Sequence, residues 1–170
     1  MFARKHSESR ESGQATVLAV VLVMVMVLVA GAVADLYRIQ EIRSFAYRAA
    51  EAAALAGVSQ GRDYNSVIST GQIRVDPAVA SAIAEETLLS TLSWHDLTAT
   101  YDIRVLEYSG LVPGFPPVSR ADLWGAGDWT SDRPAVGVYL EVPVQTMLLG
   151  WVWGEEVRVH AFAAAGVGEE

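Results

Sequence analysis

Residues Ala15 to Ala34 form an unbroken run of twenty uncharged, mostly apolar residues, and the first charge after them is Asp35. A helix rises about 1.5 Å per residue, so the run matches the roughly 30 Å hydrocarbon core of a bilayer. It holds eight Val and three Leu. On an insertion scale those residues alone favour the membrane by roughly 3 to 7 kcal/mol. Nothing else in the chain comes close. The expected partner of this segment is the lipid bilayer, and everything after Asp35 is its cargo.

Taking the anchor from the 170 residues leaves about 135, enough for one small domain with a core. The chain has no cysteine. Zinc–thiolate sites, thiol catalysis and disulfide staples are therefore excluded, and packing alone must hold the domain. Twelve basic residues face twenty acidic ones. Residues 1–13 hold three of the bases and two of the acids, so the remainder carries nine against eighteen. That balance and the lack of Lys/Arg clusters speak against nucleic acid as a partner and against a polybasic hold on anionic lipid.

Arg4, Lys5 and Arg10 precede the apolar run, and Arg38, Arg43 and Arg48 follow it. The positive-inside rule counts Lys and Arg on each side, so here it does not decide. The commoner layout is a short tail inside and a long domain outside. It predicts a single-pass protein with its C-terminal domain outside the cytoplasm. Ala32-Val33-Ala34 offers an alternative, an A-x-A site with cleavage between Ala34 and Asp35. That cut would release a soluble secreted binding domain. The apolar run is longer than the usual signal-peptide core of roughly 7–15 residues, and the chain after Asp35 reads as continued helix.

The organisation along the chain follows from periodicity. Residues 1–14 read as a polar tail or leader, 15–34 as the transmembrane helix, 35–57 as its extension beyond the membrane, and 58–170 as an α+β domain. Ile39, Ile42, Ala46, Ala49, Ala50 and Ala53 recur at three- and four-residue spacing, a face for packing helix on sheet. Gly57 reads as the stop. Gly57 to Val75 reads as a loop with one short strand. Asp76-Pro77 starts a second helix, Asp as N-cap and Pro at the first helical position. Its stripe is Ala80, Ile83, Ala84, Leu88 and Leu92.

Beyond His95-Asp96 the period changes from 3.6 to 2. Leu97 to Val105 predicts one strand, Val136 to Val144 a second and Val157 to Ala163 a third. Pro143 places a sheet edge or strand end nearby. Ser109 to Pro134 reads as a long loop. The sheet is expected to be antiparallel, of three or more strands. Its apolar face needs a cover, and the alanine face of the first helix is the natural one.

The chain resembles the TadE/TadG-like proteins of tight-adherence (Flp) pilus systems, which are pseudopilin-like membrane proteins. Three stretches carry the resemblance. One is Arg10-Glu11-Ser12-Gly13-Gln14-Ala15-Thr16-Val17, a charged tail and a Gly before the apolar helix. Another is Arg48-Ala49-Ala50-Glu51-Ala52-Ala53-Ala54-Leu55-Ala56-Gly57, similar to the family's "A-A-D-A-A-A-L-A-G" run. The third is the C-terminal pair of Val-rich strands, ending in Val157 to Ala165. The resemblance implies a long helix anchored in the cytoplasmic (inner) membrane of a bacterium, its outer half packed on a small sheet in a pilin-like domain. It implies other pilus or secretion-machinery subunits as partners. It also implies prepilin-type cleavage between Gly13 and Gln14. Leu18 stands at the fifth position after that bond, where such members usually carry Glu, and this favours an uncut anchor.

Residue chemistry points the same way. His95-Asp96 reads as a loop dipeptide and His160 as a strand residue. Asp122, Asp128 and Asp132 lack the spacing of an EF-hand. The chain shows no P-loop, dinucleotide fingerprint or G-x-S-x-G elbow. The expectation is a structural protein with no catalytic residues, cofactor, metal or small-molecule substrate; the alternative beside the secreted domain is a membrane-anchored sensor or enzyme whose site the sequence does not reveal. In the bilayer, Ala30, Gly31, Ala32 and Ala34 would let another helix approach closely. Trp124, Trp129, Trp151 and Trp153 fall outside the regular elements. They are candidates for interaction, or for closing the ends of the small core.

Overall fold

The computed structural model describes residues 7–71, 73–118, 125–150 and 156–168. The element order is α1 (Ser7–Gln60), α2 (Tyr64–Thr70), α3 (Pro77–Ser93), β1 (Thr100–Leu106), β2 (Gly110–Val112), β3 (Trp129–Ser131), β4 (Ala135–Gln145) and β5 (Glu156–Gly166). The fold is α+β. Two units divide it, one of residues 1–39 with 145–157, the other of residues 40–144 with 158–170.

α1 is a single helix of 54 residues, unbroken through Leu36. Strong helix formers and the absence of proline carry it from the apolar run into the alanine-rich stretch. It does not stop at Gly57 but continues to Gln60. Gly57 is instead a point of close approach. A Cβ there would lie 2.8 Å from the Ala80 carbonyl oxygen and 3.1 Å from the Ala84 Cβ, so α3 crosses α1 backbone to backbone.

In the larger unit, Ala46, Ala49, Ala50, Ala53, Ala54 and Val58 of α1 join Ala80, Ala84, Leu88 and Leu92 of α3 in one core. Val136, Val138, Leu140 and Val142 of β4 complete it. The alanines bring the layers together. The larger side chains of α3 and β4 supply most of the burial energy, roughly 1.5–3 kcal/mol for each fully buried Val or Leu. α3 begins as its sequence predicts. The Asp76 carboxylate accepts the backbone N–H of Ala78 at 2.9 Å and of Val79 at 3.2 Å, with Pro77 at the first turn. The segment expected as a loop with one strand holds instead the short helix α2 and a single bridge between Arg62 and Val75.

The main sheet has the order β1-β4-β5. β1 and β4 are antiparallel, in register from Thr100↔Glu141 to Leu106↔Ala135. Side-chain pairs Tyr139–His160 and Glu141–Arg158 run in opposite directions along β4 and β5, as antiparallel neighbours require. β4 is the central strand, yet it contains Pro143. The pairing with β1 ends at Glu141, so Pro143 lies beyond the reach of β1, where a missing N–H costs little.

The stretch from Ser109 to Pro134, expected to be irregular, forms a second sheet. β2 and β3 pair antiparallel from Gly110↔Ser131 to Val112↔Trp129. It contributes Phe115 and Trp129 to a second core, with Ala135 and Tyr139 of β4, against which Phe162 packs. Ring centroids of Phe115 lie 5.8 Å from Trp129 and 5.4 Å from Phe162. Gly137 admits these rings, since a Cβ there would sit 3.0 Å from both Phe115 and Trp129. β4 is thus buried on both faces, by α1 and α3 on one and by an aromatic cover on the other.

Candidate functional site

The candidate site lies at the end of the apolar run. From Val17 to Val29 the large apolar side chains are exposed, Val17 at 64% and Leu28 at 48%. α1 supplies one helix long and apolar enough to cross a membrane, with none of its most apolar stretch buried inside the chain. Water would charge heavily for that surface. Hydrocarbon accommodates it, because every backbone group within a helix is already bonded.

Asp35 closes the run, and its residue is only 4% exposed. Its carboxylate accepts three consecutive backbone N–H groups from the chain that follows β4. Met147 donates to Oδ1 at 3.0 Å, and Leu148 and Leu149 donate to Oδ2 at 2.7 and 3.0 Å. These bonds, led by that from Leu149, hold the Asp35 carboxyl below its ordinary range, with Arg38 adding a smaller push the same way. One turn earlier, Gly31 faces the Leu148 side chain so closely that a Cβ at Gly31 would collide with it. The distant segment 147–149 is therefore fastened to α1 by its backbone at Asp35 and by a side chain at Gly31.

The small residues Ala30, Gly31, Ala32 and Ala34 divide accordingly. Ala30 and Ala34 are exposed and Ala32 is half-buried. Gly31 already serves contact within the chain. The six residues of the helix-on-sheet face also divide. Ala46, Ala49, Ala50 and Ala53 are buried in the core and Ile42 packs against it, whereas Ile39 is half-buried and outside that cluster. The Gly13–Gln14 bond lies within the helical backbone of α1, and so does the Ala34–Asp35 bond.

Of the four tryptophans singled out for interaction, Trp129 is 8% exposed and belongs to the second core. Its place is inside the domain, because the β2–β3 sheet needs an apolar anchor over Gly137. Trp124, Trp151 and Trp153 lie outside the described residues.

The titratable residues are used locally. The ring of His95 packs on Phe45, centroids 4.1 Å apart, and Asp96 adopts φ 50° in the turn after α3. Asp128 accepts the Gly114 N–H at 3.0 Å and Asp132 pairs with the Arg133 guanidinium at 3.2 Å. Asp122 lies outside the described residues. On β4 and β5, the Tyr139 hydroxyl and His160 Nδ1 share a hydrogen bond of 2.7 Å. Burial, reinforced by the charge of Glu141, pushes the Tyr139 phenol up to about 12.

The sequence singles out Asp35 only as the residue after a candidate cut and not as an acceptor for a distant segment, although two signals pointed to it. It is the first charge after the apolar run, and residues 142–154 form the longest uncharged stretch of the outer chain.

Residues 13–60 match the family model of putative Flp pilus-assembly TadE/G-like proteins. The matched segment coincides with almost all of α1 and contains both the membrane run and the alanine face. It also spans the Gly13–Gln14 bond and the Arg48 to Gly57 run on which the resemblance was drawn. No curated protein and no solved structure gives a significant match.

Proposed function

We propose that this chain is a non-catalytic structural component of a Flp-type pilus or a related secretion apparatus. It is held in the cytoplasmic membrane by one pass of α1, with its α+β domain outside the cytoplasm. The observation that carries the reading is the continuity of α1. One helix presents an apolar surface between Ala15 and Ala34 and supplies Ala46, Ala49, Ala50 and Ala53 to the core of a folded domain. It is also the segment that matches a pilus-assembly family. A helix shared in this way suits a protein whose domain works beside a membrane or a bundle of like helices. The domain acts by protein–protein contact with other subunits, while the exposed Ala30 and Ala34 let a neighbouring helix approach in the bilayer.

The alternative, a secreted domain released after Ala34, fits less well. The Ala34–Asp35 bond sits inside an unbroken helix, and Asp35 itself ties down residues 147–149. The test is the intact mass of the protein recovered from producing cells, together with its retention in carbonate-washed membranes. An uncut chain in the membrane is expected. Loss of residues 1–13 would keep the pilus reading and add leader processing at Gly13. Loss through Ala34, with the product in the medium, refutes the proposal.

A further inference from the structure

Met147, Leu148 and Leu149 follow β4 after one residue, Thr146, and precede β5. Met147 is 82% exposed, and residues 142–154 carry no charge. A loop tip of this composition is unusual where only water surrounds it. Its position explains it. Leu148 reaches Gly31, about 6 Å below Asp35 along the axis of α1 at 1.5 Å per residue. Gly31 lies within the apolar run, so Leu148 sits at the depth of the last turn of the membrane helix.

The backbone of the loop is arranged for the same place. Near hydrocarbon, water is scarce and an unpaired N–H costs several kcal/mol, so donors must be satisfied within the protein. Three consecutive donors of the loop, those of Met147, Leu148 and Leu149, all end on one carboxylate. The three residues so clamped all carry apolar side chains, and that of Met147 faces outward.

We infer that the segment Met147–Leu149 after β4 is a second membrane contact. Met147 inserts into the leaflet at the Ala34 end of the helix, and Asp35 acts as the clamp that holds the segment at that depth. The occupant of this apolar surface is phospholipid, because the surface is continuous with that of the membrane helix. The inference rests on the reading of Ala15–Ala34 as a bilayer span. Its consequence is that the chain meets the membrane at two points, α1 and the segment held on Asp35.

The absence of cysteine permits a direct test with the full-length chain in phosphatidylcholine vesicles. Single-cysteine variants Met147→Cys and Val23→Cys are labelled with an environment-sensitive fluorophore. They are challenged with aqueous iodide and with lipids carrying a doxyl quencher, either near the headgroup or at mid-chain. The label at 147 is expected to be quenched by the shallow doxyl lipid. Its iodide quenching should be several-fold weaker than that of the fluorophore on free cysteine. The label at 23 is expected to respond to the mid-chain doxyl. If the label at 23 does not respond, the spanning reading fails and this inference fails with it. If 23 responds but 147 is as open to iodide as the free conjugate, the anchor stands and the second contact is refuted. Protection from both quenchers at 147 means protein covers the loop, which also refutes lipid as occupant. Asp35→Asn, added to each variant, should raise iodide quenching at 147 several-fold and leave 23 unchanged. No change at 147 refutes the role of Asp35.

Discussion

Gly57 tests how tightly α3 lies on α1. In an exposed helix interior, replacing Gly by Ala stabilises by about 1 kcal/mol, because Gly is the costlier residue to order. At Gly57 the new Cβ would stand 2.8 Å from the Ala80 carbonyl oxygen and 3.1 Å from the Ala84 Cβ. The first of these neighbours is backbone and cannot swing aside, so α3 must move by a few tenths of an ångström. Overpacking of this kind costs about 1–3 kcal/mol. The two effects oppose, and the steric one should win by about 1 kcal/mol for Gly57→Ala. Gly57→Val adds two more methyl groups towards Ala80, Ala84 and Val136 and should cost about 3 kcal/mol or more. Urea unfolding of the full-length chain in mild detergent, followed by tryptophan fluorescence, reads the difference. Ala52→Gly on the exposed face of α1 calibrates the propensity term in this protein and should lower stability by about 1 kcal/mol. Ala84→Gly in the Gly57→Ala background removes one of the two close contacts. The pair should therefore be less than additive, by about 0.5 kcal/mol or more. A Gly57→Ala protein more stable than the parent would refute the backbone-to-backbone crossing, and with it the reason α1 needs a glycine there.

Asp35 is held below its ordinary pKa, so its bonds favour the folded arrangement above the unfolded pKa of about 4 and lose effect only as pH falls through the lower folded value. Amide exchange at Met147, Leu148 and Leu149 should accordingly stay protected at pH 5, and Asp35→Asn should abolish that protection at every pH. Tyr139 is displaced upward to about 12, so the fold loses stability as pH rises from about 10 towards that value. An alkaline absorbance titration should lose its latest-titrating tyrosine in Tyr139→Phe. Leu88→Ala empties a fully buried site between the helices and the sheet and should lower the unfolding free energy by about 2–5 kcal/mol in the same urea assay. Gly137→Val would drive Phe115 and Trp129 off β4 and should shift the Trp129 emission to the red. An unchanged spectrum would mean the aromatic cover is not seated on the sheet.

Much of the architecture could be read from local pattern. The run from Ala15 to Ala34, the alanine spacing after it and the Asp76-Pro77 start of α3 each carry a one-dimensional signature of a helix. The alternating residues Leu97, Ala99, Tyr101, Ile103 and Val105 do face the main core as their period requires. The failures share a cause. Gly57 has a residue type that usually ends helices, but whether it ends one depends on what crosses it, and Ala80 is 23 positions away in the chain. The loop from Ser109 to Pro134 has no period, since its buried Phe115 and Trp129 rings are anchored at Gly137 on a different strand. Trp129 takes the core-closing one of its two expected readings, though nothing nearby in sequence indicates the pocket above β4 that it fills.

The chain's one-dimensional pattern determined that a single helix would run from an apolar stretch into an alanine-faced one, and that a small antiparallel sheet would follow. Helix and strand periods and the length of an apolar run are local quantities, written in consecutive residues. Only the tertiary structure decided that β4 lies in the middle with a core on each face. It alone brought the N–H groups of residues 147–149 onto Asp35, more than a hundred positions earlier. A carboxylate at the end of an apolar run is visible in sequence. Which donors will satisfy it is settled only when the chain returns to it.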